Sequence, residues 1–129
     1  MPLGAKKQQI FEEAAKLFQE KGYRAASMRE LATRVDLKVS SLYSHIGGKE
    51  EILQKICFDN ANHFLEGIQE IEQQALTPTE QVKNLIKLHI KIATEDATSI
   101  TVFNDEWRYL SEPKLGEFLK MRKDYEERF

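Results

Sequence analysis

Ser27-Met28-Arg29-Glu30-Leu31-Ala32-Thr33-Arg34-Val35-Asp36-Leu37-Lys38-Val39-Ser40-Ser41-Leu42-Tyr43-Ser44-His45-Ile46 is the stretch on which the fold turns. It opens with a capping-box pattern: the Ser27 hydroxyl can accept from the Glu30 amide while Glu30 reaches back. Met28, Leu31, Ala32 and Val35 then fall at helical spacing and give the segment one apolar face. There is room for only about two turns before Asp36-Leu37-Lys38 interrupts. A second short helix is expected from about Val39 to Ile46, burying Leu42 and Ile46. Two short helices joined by a tight turn, with a helix on each side, make a helix-turn-helix layout.

Working outward, Ile10, Ala14, Leu17 and Phe18 share one face of a 3.6-residue period, and Gly22 ends that helix. On the other side Gly47-Gly48 breaks the chain, and a long helix starts near Lys49. Ile52, Leu53, Ile56, Cys57, Phe64, Leu65 and Ile68 hold its period. Thr77-Pro78-Thr79-Glu80 is a second capping box with proline at the first helical position. Val82, Leu85, Ile86, His89 and Ile92 read as one face of the helix that follows. Ala97 to Phe103 is ambiguous, because Thr98, Ile100, Thr101 and Val102 favour strand. With no second strand nearby to pair, it reads as helix by elimination. Ser111-Glu112-Pro113 opens a last helix that carries Leu115, Phe118, Leu119, Arg122 and Tyr125. The fold class is therefore all-α, divided into a helix-turn-helix head at residues 1–48 and a helical body at 49–129.

Composition agrees. The chain has 129 residues, 41% hydrophobic and 31% charged, with 6 Gly, 3 Pro and a single cysteine, Cys57. Those values exclude collagen-like, low-complexity and disulfide-framework proteins, and fit a reducing cytoplasm. No apolar run approaches a membrane span, and the Met1–Lys7 start has no signal-peptide core. The formal charge is −2, but residues 1–50 carry nine Lys/Arg against six Asp/Glu, and the remainder 10 against 15. A basic head on an acidic body suits a polyanion met by the head alone; chance variation on a solvated surface is the plainer reading.

A helix about 10–12 Å across fits the DNA major groove. It must protrude, so it must be short and packed on one face only. Ser40, Ser41, Ser44 and the Lys38–Val39 edge are left outward, and small hydroxyls permit close approach to bases and phosphates. Tyr43 and His45 can donate to phosphate oxygens. Lys49 adds charge at a helix start whose free amides favour anions. Tyr43 as a core aromatic and Lys49 as a solvated lysine are the plainer alternatives.

These residues, with Ala14-x-x-Leu17-Phe18-x-x-x-Gly22-Tyr23 before them and Lys49-Glu50-Glu51-Ile52-Leu53 after, resemble the DNA-binding domain of the tetracycline-repressor (TetR) family over about residues 6–56. The resemblance implies a homodimeric, ligand-released repressor that binds a double-stranded DNA operator. It gives phosphate contacts to Ser27, Tyr43, His45 and Lys49, and base contacts to Lys38, Val39, Ser40 and Ser41. Arg29 is able to reach either. The sequence departs from the family pattern at three places: Asp36 where glycine is usual, Lys38 where Ser or Thr is usual, and Ile46 where an aromatic is usual. Two heads are needed because one short helix reads few base pairs, and half-sites about 34 Å apart multiply the specificity.

The resemblance also implies a small-molecule effector in the body. Phe64, Ile68, His89, Phe103, Trp107 and Tyr125 can line an apolar pocket between helices, although core packing explains Phe103, Trp107 and Leu110, at i, i+4 and i+7, and is the plainer reading. Trp107-Arg108 followed by Arg122-Lys123-x-Tyr125-Glu126 is similar to acyl-CoA-sensing members of the family, which points to acyl-CoA or another hydrophobic ligand. Members usually continue for two further long helices, so a fragment is expected; otherwise dimerisation falls to the helix from Thr79 or from Ser111. His63 and His89 sit on different helices with no clustered carboxylate or thiol, so no metal is expected. No cofactor and no catalytic constellation is expected either. The rival reading is a helical lipid-binding, acyl-CoA-binding or interaction protein without specific DNA binding. The regulator reading requires the outer side of the Ser40 helix to be left bare by the rest of the chain.

Overall fold

A computed structural model describes residues 4–128; Met1–Leu3 of the N-terminal run and the final Phe129 lie outside the described residues. It contains α1 (Ala5–Lys21), α2 (Met28–Arg34), α3 (Val39–His45), α4 (Lys49–Gln73), α5 (Pro78–Glu95), α6 (Ala97–Glu106), a 3₁₀ turn (Trp107–Tyr109) and α7 (Lys114–Arg128). There is no strand among the described residues, and the ambiguous Ala97–Phe103 segment is helical. Asp96 settles that ambiguity locally: its carboxylate accepts from the Ser99 amide at 3.1 Å and starts α6.

The punctuation works as chain chemistry dictates. Gly22 stands at φ 83°, open to glycine and costly to residues with a Cβ, and its N–H donates to the Phe18 carbonyl as α1 stops. The Ser27 hydroxyl accepts from the Glu30 amide at 3.1 Å and opens α2. Between α2 and α3, Asp36 adopts φ 55°, so the turn keeps its left-handed residue although glycine is absent. Lys38 supplies no side-chain cap to α3. At α5 the Thr77–Glu80 capping box closes in both directions, at 3.1 and 3.2 Å.

One core runs through head and body. Ile10, Leu17 and Phe18 of α1, Leu31 of α2 and Leu42 of α3 are fully buried with Ile52 and Leu53 of α4, and the same cluster extends to Val102 of α6 and Phe118 of α7. Burying each such side chain contributes about 1.5–3 kcal/mol relative to exposure. α4 is the mast: it packs against α5, α6 and α7, while α1 packs against both α2 and α6. Asn60, buried on α4, donates to the Ile56 carbonyl at 2.8 Å and the Ser99 hydroxyl at 2.7 Å, which pins the start of α6 to the mast. Gly67 lets α5 approach, since a Cβ there would overlap the Leu88 side chain.

The face assigned to α5 needs correction. Leu85 and Ile92 are buried, but Val82 and Ile86 are more than half exposed, as is Ile90. The helix meets α4 and α6 along its inner side, and His89 reaches α7, so the apolar arc is wider than the neighbours that cover it.

Candidate nucleic-acid interface and effector cavity

The α2–α3 pair stands on α1 and α4 with its outer side bare. Leu42 and Ile46 anchor α3, at 0% and 3% exposure. On the opposite side Lys38, Val39, Ser40, Tyr43, Ser44 and His45 are exposed and Ser41 is half-buried. Tyr43 is 49% exposed, so it is a surface aromatic and not a core one. The Ser44 hydroxyl donates to the Ser41 carbonyl at 2.5 Å. Arg29, on the first turn of α2, is exposed and makes no ion pair among the described residues.

Two of the residues expected to contact phosphate are otherwise engaged. Ser27 accepts from the Glu30 amide, and its own hydroxyl donates to the Glu30 carboxylate at 3.2 Å, so capping uses it fully. Lys49 turns inward. Its ammonium donates to the carbonyls of Tyr23 at 2.7 Å, Ala26 at 3.0 Å and Arg24 at 3.5 Å, and lies 4.4 Å from the centre of the Tyr23 ring. Burial holds its pKa below the usual lysine value. The free, outward Lys49 read from its helix-start position is therefore corrected: it is a clamp on the α1–α2 loop. The carbonyls that satisfy it lie more than 20 residues away, and no local pattern announces them.

That clamp belongs to a larger junction. The Tyr23 ring packs edge-on against Phe18 and stacks at 5.8 Å on Tyr109, beyond the end of α6. The Tyr23 amide donates to the Glu106 carboxylate at 2.9 Å. The Ser111 amide donates to Glu50 at 2.7 Å, and the Ser111 hydroxyl bonds to the same oxygen. These bonds hold the Glu50 carboxyl below its ordinary range. Burial, with the Glu50 charge beside it, raises the Tyr23 hydroxyl to about 12.

In the body a cavity of about 430 Å³ opens between α4, α5, α6 and α7. Phe64, His89, Phe103, Trp107 and Tyr125 line it, five of the six expected residues. Ile68 does not: it is 1% exposed and packs with Ile71 and Leu85 in a separate small core, which corrects its assignment. The walls are aromatic contacts, with Phe64 at 5.9 Å from Phe103, 5.3 Å from Tyr125 and 5.2 Å from His89. A ring nitrogen of His89 and the Tyr125 hydroxyl bond to each other across α5 and α7. Asn104, Phe118 and Arg122 also line the cavity; the sequence places Phe118 and Arg122 on the face of the last helix, and Arg122 in the run similar to acyl-CoA-sensing members, without naming any of the three as lining. Arg122 stacks 5.0 Å over Trp107 and its Nε donates to Glu126 at 3.2 Å, which sets a cation at the rim of an apolar chamber. Its helical spacing from Phe118 and Tyr125 on α7 is the signal that places it there.

Cys57 is fully buried, and desolvation raises its thiol to about 12, so its thiolate population is negligible at neutral pH. Among the described residues no three His, Cys, Asp or Glu side chains gather as a metal site, and no helix is long and apolar enough to cross a membrane.

Residues 10–56 match the family model of the bacterial regulatory proteins, tetR family, and residues 75–129 that of the tetracyclin repressor-like C-terminal domain. The HTH-type transcriptional repressor KstR2 of Mycolicibacterium smegmatis is 22% identical over 118 residues, covering 92% of this chain and 58% of the relative. Among solved structures, the TetR family transcriptional regulator PfmR from Thermus thermophilus superposes with a TM-score of 0.83 at 31% identity, covering 92% of this chain and 65% of that one. AibR, solved in complex with isovaleryl coenzyme A and operator DNA, superposes with a TM-score of 0.81 at 24% identity, covering 95% and 67%. The chain thus spans less than two thirds of the length of KstR2 and PfmR. The head and the body each match their own part of one family, in order and on one chain: this protein belongs to the tetR family of bacterial regulatory proteins.

Proposed function

We propose that the protein is a sequence-specific DNA-binding repressor that acts in the cytoplasm as a homodimer and leaves its operator when a small molecule fills the body cavity. One observation carries the DNA-binding part: the outer side of α3 is bare while Leu42 and Ile46 bury its inner side. A rod supported in this way can enter a major groove without rearrangement. Lys38, Val39, Ser40 and Ser41 approach bases, Tyr43 and His45 hold phosphates, and Arg29 reaches either. Ser27, its hydroxyl already engaged, acts through the helix it opens. The boundary between the DNA-binding head and the effector body falls at residues 48–49, where Gly47-Gly48 leads into α4.

The effector is a hydrophobic acyl thioester. The cavity is aromatic, of a size that accommodates a modest acyl group, and Arg122 at its rim offers a cation to a phosphate or carbonyl oxygen. AibR, which shares the fold, is described with isovaleryl coenzyme A and operator DNA. No catalytic role is assigned, since the named relatives are transcriptional regulators.

The test is a mobility-shift assay with genomic duplexes at low and high salt. Binding should weaken steeply with salt, because lysine and arginine displace counterions. Tyr43→Ala should lower affinity for every duplex, whereas Ser41→Ala should alter sequence preference. Unchanged affinity in Tyr43→Ala contradicts the docking, and a uniform loss in Ser41→Ala contradicts its base-reading role. The cavity supports a second reading, a lipid-binding helical protein; it predicts thioester binding with no shift of any duplex at low salt.

A further inference from the structure

The outer side of α3 carries an uncommon set of groups for a helix that meets base edges. α3 runs Val39-Ser40-Ser41-Leu42-Tyr43-Ser44-His45, with no arginine, asparagine, glutamine or carboxylate. Those are the side chains whose hydrogen bonds single out guanine, adenine or cytosine in the major groove. Serine hydroxyls both donate and accept, so they suit any base at a given point. Lys38 is a mobile point charge that suits guanine and phosphate alike. Discrimination along α3 has one further source, its exposed aliphatic side chain, Val39. It is the first residue of α3 and 37% exposed, and the N-terminal residues of such a helix are those that meet base edges. The aliphatic residues around it turn inward: Leu37 packs against the core, and Val35 and Leu42 are fully buried. Because Leu42 anchors the helix three residues on, α3 cannot roll to bury Val39.

We propose that Val39 reads the C5 methyl group of a thymine, one in each half-site of the operator. The inference rests on the DNA-binding reading and adds to it the base, and the group on that base, that one residue selects. The major groove offers a single apolar group, the thymine methyl. Branching at Cβ leaves a helical valine close to one rotamer, so its two methyl groups form a fixed apolar knob that loses little freedom on docking. Contact between knob and methyl removes both surfaces from water. The other bases gain nothing there. Cytosine carries only hydrogen at C5, and a purine presents N7, an acceptor that an apolar knob strips of water without replacing the bond. Val39 thus favours thymine by attraction and opposes purines by desolvation.

The test selects duplexes with the whole chain from a random library. Each thymine of the recovered half-site is then replaced in turn by deoxyuridine, which pairs identically and lacks the methyl. Affinity is read by fluorescence anisotropy. One thymine per half-site should matter: its replacement should weaken binding about fourfold, the loss expected when one methyl-sized group stays in water, and about fifteenfold when both half-sites are changed. Val39→Ser, at an exposed position and of similar helix propensity, should retain its circular dichroism and bind the thymine and deoxyuridine duplexes equally. Recovered half-sites with no fixed thymine overturn the proposal. So does indifference to deoxyuridine at every position, an equal loss at every thymine, or a discrimination that Val39→Ser keeps; all of these leave DNA binding itself standing. Recovery of no preferred duplex at low salt overturns the DNA-binding reading and this inference together.

Discussion

Lys49 shows how position in the chain and position in space can disagree. At a helix start beside a basic head, it reads as a phosphate contact; in three dimensions its ammonium is held by the Tyr23, Arg24 and Ala26 carbonyls. The two roles predict different measurements. A phosphate contact, when removed, lowers the slope of log affinity against log salt by about one unit. A clamp, when removed, lowers stability and leaves the slope alone. Lys49→Met should cost about 1–3 kcal/mol in denaturant unfolding, because charged hydrogen bonds and a stacked cation are lost. The salt slope of DNA binding should be unchanged, and a fall of one unit would return Lys49 to the phosphate set. Tyr43 and Leu42 were legible for a simple reason: the helical period turns each residue about 100° from the one before, so Tyr43 leaves the face that Leu42 buries. The partners of Lys49 and Ser111 were not, because they are set by how distant segments meet.

The elements themselves were written in local chemistry. Ser27, Thr77 and Gly22 mark ends through hydrogen bonds and backbone freedom that involve only their own neighbours, and the structure keeps each of them. Ala97–Glu106 was harder, because β-branched residues favour strand while the surroundings offer none; Asp96 and the Asn60–Ser99 bond decide for helix. The α2–α3 turn yields a quantitative expectation. Asp36 at φ 55° pays for a conformation that glycine adopts freely. Asp36→Gly should therefore leave stability unchanged or raise it by up to about 1 kcal/mol, while Asp36→Val should lower it by more. Chemical denaturation of the three proteins orders them, and Val above Asp would refute the backbone argument. The outer face of α5 was misjudged because periodicity shows that an arc is apolar, not that a neighbour covers it.

Across the whole molecule, head and body are joined by a continuous core and by the Tyr23 junction, where α1, the first turn of α4 and the end of α6 meet. α6 lines the cavity with Phe103 and Asn104 and ends at Glu106, which holds the Tyr23 amide, and Trp107 follows at once in the 3₁₀ turn. Cavity and head are thus separated by one short helix. Most of the cavity's aromatic lining was legible because aromatic residues at helical spacing converge whenever helices pack; Arg122 stood out only as part of the run similar to acyl-CoA-sensing members, not as a wall of the cavity. The buried junction also sets a pH limit. The Tyr23 hydroxyl and the Cys57 thiol both titrate at about 12 in the fold, above their ordinary values of 10.0 and 9.0. The folded state therefore keeps protons that the unfolded chain gives up. Their contribution is complete below about pH 9 and is lost as pH rises towards 12. The melting temperature should fall over that window, with Cys57 unreactive to a disulfide reagent until the chain unfolds; early reaction of the folded protein contradicts its burial.

The central claim is that the bare side of α3 enters a major groove. Dimethyl sulfate footprinting of a duplex selected by this chain from random sequence tests it most directly, since guanine N7 faces the major groove and adenine N3 the minor groove. The account predicts protection at guanine N7 that Ser41→Ala redistributes and Tyr43→Ala weakens throughout. Protection confined to adenine N3, or a pattern that neither substitution changes, would contradict it.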